Sequence, residues 1–140
     1  MVKEVILITG SRSITDRNKV FEALDKQVDP AGVYVLIQGE APGVDILSRE
    51  WCESRGVNCM GMPIPDDYRN AYGNGAGNMR NKDMLEKALE ISARESIPVR
   101  GIAFWDGSST GTQDMINRMH KTTVLVYVTL MGKPKTKRLI

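Results

Sequence analysis

Three short stretches of this 140-residue chain combine glycine, small residues and an acid in the way an anion-binding turn requires. They are Thr9-Gly10-Ser11-Arg12-Ser13-Ile14-Thr15-Asp16, Gly39-Glu40-Ala41-Pro42-Gly43-Val44-Asp45 and Asp106-Gly107-Ser108-Ser109-Thr110-Gly111-Thr112. Glycine lets the backbone approach a bulky anion, and the free N–H groups and dipole at a helix N-terminus favour phosphate or carboxylate. Each stretch alone also reads as an ordinary turn and helix cap, because the same residues are selected there. Three of them expected at one sheet edge argue for an anion-binding crevice. Arg12 and Arg80 would bring the positive charge, and a guanidinium fork suits phosphate. The alternatives are a surface ion pair with Asp83 for Arg80 and simple exposure for Arg12.

Other chemistries are excluded by what is missing. A single histidine, His120, leaves no His-based metal centre, and Cys52 and Cys59 lack zinc-ligand spacing, so no metal is expected. Both cysteines read as reduced, packed thiols. Gly73-Asn74-Gly75-Ala76-Gly77 follows a polar segment and lacks the dinucleotide-binding spacing, while Gly107 to Thr112 lacks the lysine of a phosphate-binding P-loop. No nucleophile elbow of the serine hydrolases occurs. No cofactor is implied.

The elements that would carry these turns follow from hydrophobic pattern. Apolar runs at Val5–Ile8, Val33–Ile37, Val57–Met62, Gly101–Trp105 and Thr123–Thr129 are too short for helices and mostly continuous, as in strands buried on both faces. Between them lie helical spacings: Val20, Phe21, Leu24 and Val28; Val44, Leu47, Ser48 and Trp51; Met84, Leu85, Ala88 and Leu89; Met115, Ile116 and Met119. Alternation of this kind predicts an α/β fold: one Rossmann-like, doubly wound, mainly parallel sheet of about five strands with helices on both faces. Ligands of such sheets bind beyond the carboxyl ends of the strands, where the three turns fall. The stretch Pro63 to Asn78 reads as a long functional loop, since it joins two tyrosines, two aspartates and Arg69 to its glycines.

Length suits one domain, taken as residues 1–131, followed by a short basic tail over 132–140. The tail's Lys133, Lys135, Lys137 and Arg138 take four charges from the chain's net +2, which leaves −2 on the body. That mildly acidic body argues against nucleic acid as the main partner. No membrane span is expected, and the N-terminus lacks the features of a signal peptide, so a cytoplasmic location is expected.

Taken together, Gly10-Ser11-Arg12, Gly39-x-Ala41-x-Gly43-x-Asp45, Asp67-Tyr68 with Gly73, Ala76-Gly77-x-x-Arg80-Asn81-x-x-Met84 and Phe104-x-Asp106-Gly107-x-Ser109-x-Gly111-Thr112 resemble the YspA-like branch of the SLOG superfamily. That superfamily joins the Smf/DNA-processing protein A group to the Lonely Guy phosphoribohydrolases. The resemblance implies a Rossmann-like domain, expected as a homodimer. Its ligand would be a nucleotide or nucleotide-derived molecule of the nucleoside monophosphate, NAD or ADP-ribose type. It places the ligand at Gly10, Ser11, Arg12, Gly39, Ala41, Gly43, Asp67, Tyr68, Gly77, Asn81, Gly107, Ser109, Gly111 and Thr112.

Lonely Guy enzymes cleave an N-glycosidic bond with an arginine and a glutamate. Arg80 resembles the arginine, but Met115 occupies the glutamate's position, with Asp114 about 100° away around the helix. If the site is catalytic, Arg80, Asp106 and Asp45 are the expected catalytic residues, by analogy with the carboxylates of glycoside hydrolysis. Asp67 and Glu40 are further carboxylate candidates. Helix capping is as good an account of Asp45. Tyr68 or Tyr72 could stack on a base. Hydrolysis, a non-catalytic nucleotide sensor and, third, single-stranded DNA binding remain the competing readings.

Overall fold

The computed structural model describes residues 2–132, so Lys133, Lys135, Lys137 and Arg138 lie outside the described residues. Ten elements follow in order: β1 (Glu4–Gly10), α1 (Arg17–Gln27), β2 (Val33–Gln38), α2 (Val44–Arg55), β3 (Cys59–Gly61), α3 (Tyr68–Tyr72), α4 (Ala76–Glu95), β4 (Val99–Trp105), α5 (Thr110–Lys121) and β5 (Leu125–Leu130). The five strands form one sheet in the order β3-β2-β1-β4-β5, and every pairing is parallel. This is the Rossmann-like α/β architecture that the alternation of elements predicts.

Two cores result, one on each face of the sheet. Ile6, Ile8, Leu36, Ile102 and Phe104 pack with Val20, Leu24, Val44 and Trp51 of α1 and α2. On the opposite face Val5, Leu7, Val35 and Ile37 pack with Met84, Leu85, Ala88, Met115 and Met119 of α4 and α5. Neighbouring β1 residues thus serve different cores, which is why its apolar run is continuous instead of alternating. Local signals set the helix ends. Asp16 caps α1 by accepting the Lys19 N–H at 3.2 Å, and Gly56 closes α2 in the left-handed region at φ 68°.

Three expectations are corrected. The stretch 63–78 is not a plain loop: it holds α3 and a 3₁₀ turn at Gly73–Gly75, and α4 already begins at Ala76. Arg80 therefore sits one turn inside α4. Strand β5 is not buried on both faces, since Leu125, Tyr127, Val128 and Leu130 are exposed. As the outermost strand it has a neighbour on one side only, so its apolar run marks sheet membership and not burial. β3 is also shorter than its apolar run, because the chain enters it from Val57, which packs into the core.

The carboxyl end of β1 touches the start of α2 without room to spare. A Cβ built on Gly10 would lie 2.3–2.4 Å from the Val44 side chain, whereas one on Gly101 would meet the flexible Met119 sulfur. Gly10→Ala is expected to cost about 1–3 kcal/mol and Gly101→Ala less, because a methionine can swing aside and a β-branched side chain cannot. Urea midpoints of the two variants against wild type check the order.

Candidate functional site

Strand order reverses between β1 and β4, so α1 and α5, which follow these strands, depart to opposite faces and leave a crevice beyond the strand ends. A cavity of about 490 Å³ occupies it. Its lining includes Gly10, Arg12, Ala41, Asp45, Gly77, Arg80, Asn81, Asp106, Ser109, Gly111 and Thr112, bringing residues of all three glycine turns and of α4 together. Thr9, Ser13, Ile64, Asn78, Met84, Ser108 and Thr110 also contribute. Gly77, Arg80, Asn81 and Met84 recur at helical spacing, a signal that marks one inward face of α4. Ser13 and Ser108 carried no such signal and are placed only by the fold.

The remaining site candidates stand behind or away from the cavity wall. Ser11 is buried, and its hydroxyl accepts the Asp106 N–H at 3.1 Å. Gly43 has φ 86° and lies so close to Ser11 and Arg12 that a Cβ would meet their backbone at 2.7–2.9 Å. Gly39 admits no side chain because Arg80 and Asp45 lie against it. Gly107, at φ 85°, makes the turn after Asp106. Asp67 is exposed, outside the cavity lining. The Tyr68 hydroxyl donates to Asp83, which pushes its own ionisation up to about 12 and ties α3 to α4. Tyr68 and Tyr72 stack edge to face on each other, 5.2 Å between centroids.

Asp45 and Asp106 receive opposite treatment. Asp106 Oδ2 accepts the Ser13 hydroxyl at 2.6 Å, and Oδ1 accepts the Ser109 and Ser108 N–H groups at 2.8 and 2.9 Å. These donors hold it well below the usual carboxylate range, the Ser13 hydroxyl first among them. Asp45 is only 6% exposed, and burial pushes its carboxyl up to about 6 against the pull of Arg80 and of two backbone donors. Its Oδ2 accepts the Gly39 N–H at 3.1 Å and the Ala41 N–H at 3.3 Å.

Cationic groups face the same space. Arg80 Nη1 donates to the Gly39 carbonyl at 2.5 Å and more weakly to that of Met62 at 3.4 Å, while its Nε is buried without a partner. Burial lowers its ionisation, opposed by Asp45. Arg12 is exposed on the cavity rim. Helix α5 opens here too. Its N-cap Ser109 makes no side-chain bond to the backbone, so the first N–H groups, at Thr110, Gly111 and Thr112, stay open. Asn81 braces this helix end by donating to the Gly111 carbonyl and to Asp114, both at 3.1 Å. Asp114 also accepts from Arg118 at 2.9 Å and is outside the lining, and Met115 is fully buried in the core. No carboxylate therefore reaches the cavity from this turn of α5.

The profile of the YspA, cpYpsA-related SLOG family matches residues 4–66, just under half of the chain. The matched stretch runs from β1 through β3 and takes in the first two glycine turns. A curated relative, Gene 61 protein of Mycobacterium phage D29, is 28% identical over 127 residues, covering 86% of this chain and 92% of its own. Among solved structures, DNA processing protein A of Streptococcus pneumoniae superposes with a TM-score of 0.47 at 11% identity. That alignment takes in 89% of this chain and 58% of the larger one.

The two carboxylates yield separate tests. An acid raised like Asp45 adds stability while protonated, below about pH 4, and loses it as pH climbs through about 6, by about 3 kcal/mol at most. The melting temperature of wild type is therefore expected to fall relative to Asp45→Asn between pH 4 and pH 8. Scanning calorimetry across that range reads the difference. Asp106→Ala removes the anchor of the turn before α5 and is expected to cost about 1–2 kcal/mol at neutral pH, measured by chemical denaturation.

Proposed function

We propose that the crevice binds a nucleotide or nucleotide-derived small molecule of the nucleoside monophosphate, NAD or ADP-ribose type. One observation carries this reading: the uncapped start of α5 shares a single cavity with Arg12 and Arg80. Open N–H groups, a helix dipole and two guanidinium groups together suit a phosphate. The cavity's volume is in the range of small-molecule sites. The match of residues 4–66 to a SLOG family supports a nucleotide-related ligand in general.

Turnover would be hydrolysis of the ligand's N-glycosidic bond. Water adds to the sugar carbon, the bond to the base breaks, and the departing nitrogen takes a proton. Asp45 suits the donor's role, since a carboxyl near 6 is partly protonated at neutral pH and can be recharged by the attacking water. Arg80 would hold the phosphosugar beside it. Asp106, with both oxygens engaged by Ser13 and the Ser108–Ser109 backbone, suits positioning of the phosphate turn better than proton transfer. The second reading is a sensor or sequestering module without turnover. Burial of Met115 where a hydrolase of this type would present a glutamate favours it.

A thermal-shift panel of nucleoside monophosphates, NAD and ADP-ribose is expected to stabilise the protein with at least one ligand, and no shift with any of them would overturn the proposal. Arg12→Ala should weaken that ligand about tenfold without altering the ligand-free melting temperature. Release of free base by wild type but not by Asp45→Asn would separate hydrolysis from sensing.

A further inference from the structure

We infer that Glu40 is the positioning residue of this site: clamped in a left-handed conformation by Gln38 and Arg49, it turns the Gly39–Ala41 backbone so that Asp45 and Arg80 are held at the cavity. The inference rests on the proposed importance of Asp45 and Arg80, and concerns a residue outside the cavity wall.

Glu40 has φ 57°, a left-handed conformation that residues with a side chain rarely adopt unless neighbouring groups hold them there. The holding groups are explicit. The Glu40 N–H donates to Gln38 Oε1 at 2.5 Å, and Gln38 Nε2 donates back to Glu40 Oε1 at 2.5 Å. Gln38 is fully buried at the end of β2, so this two-point grip is fixed to the sheet. From α2, Arg49 pairs with Glu40 Oε2 and also lies 3.8 Å from Glu53. From β3, Gly61 leaves the space that the Glu40 carboxylate fills, since a Cβ there would fall 2.1 Å from Oε1.

The left-handed residue decides where its neighbours' polar groups point. N–H groups on either side of such a residue converge into a concave anion-binding pair. Here the pair is the Gly39 and Ala41 N–H groups, and the anion they meet is Asp45 Oδ2. The same turn presents the Gly39 carbonyl to Arg80 Nη1. One backbone conformation thus orients the acid and the cation together. The charged groups acting on Asp45 are Arg80 from α4 and Glu40 from the turn, the first attracting and the second repelling.

The test follows the Gly39 and Ala41 amide protons by NMR during a pH titration of ligand-free protein. In wild type both shifts are expected to track Asp45 ionisation, and in Asp45→Asn neither should. Glu40→Gly tolerates the φ value but loses the clamp, so both responses should be lost or at least halved. Glu40→Gln keeps the Gln38 grip but loses the Arg49 ion pair, so it should shrink them no more than Arg49→Ala does. Arg49→Ala, at a partly exposed position, releases the clamp more gently and should shrink them as well. Unchanged amide titrations in both Glu40→Gly and Arg49→Ala would overturn the inference and leave Glu40 a purely structural residue.

With AMP as probe, affinity is expected to fall roughly tenfold in Glu40→Gly and to recover in part in Glu40→Gln. If the amides respond as expected but neither AMP nor any ligand of the panel binds wild type, the positioning role stands and the nucleotide reading fails. Amides that respond while AMP affinity in Glu40→Gly stays at the wild-type level would overturn the claim that the clamp serves binding.

Discussion

Everything at this site depends on the parallel run of five strands with a reversal of order between β1 and β4. Parallel strands bring all their carboxyl ends to one edge, and the reversal sends the adjoining helices to opposite faces, so the backbone must part there. Turns that would otherwise be separate caps on separate helices become walls of one cavity. The close fit of Gly10 against Val44 and of Gly43 against Ser11 and Arg12 draws those walls together. Without a Cβ at these points the first and second turns can approach to backbone distance.

The electrostatics of the cavity follow from which carboxylate is given donors and which is given burial. Asp106 takes four donors through two oxygens and stays ionised, and its residue bonds the first and third turns to each other through Ser13 and Ser11. Asp45 has two backbone donors on one oxygen and lies in the protein interior, where charge is disfavoured. Two acids separated in this way can divide the work of holding a ligand and moving a proton. Arg80 joins α4 to the Gly39 turn that also holds Asp45, and Asn81, one residue on, joins α4 to the N-terminal end of α5. Helix α4 is therefore the brace of the site, although its sequence looks like an ordinary amphipathic helix.

Much of this was legible before any coordinates. Continuous β-branched runs separated by helical spacings are the physical mark of a sheet covered on both faces, so the fold class followed from them. Glycine turns at strand ends are equally legible, because only residues without side chains permit the close approaches seen at Gly10, Gly39 and Gly43. β5 shows the limit of that reasoning: its apolar pattern resembles β1's, yet being outermost leaves Leu125 and Leu130 exposed, and order within a sheet is not a local property. The short helix α3 was hidden by its own polar composition and the glycines that follow it at Gly73 and Gly75, which favour turns as strongly as a five-residue helix.

Residue types and spacing alone gave the composition of the candidate site: glycine turns, arginines and acids expected at one sheet edge. Which acid could give up or keep a proton was decided only by tertiary structure. Asp45 and Asp106 have the same side chain and the same nearby small residues. Their difference arises because one points into the interior beneath Gly39 and the other meets Ser13 from 93 positions away in the chain. Desolvation and hydrogen bonding act through space, and no local pattern records either.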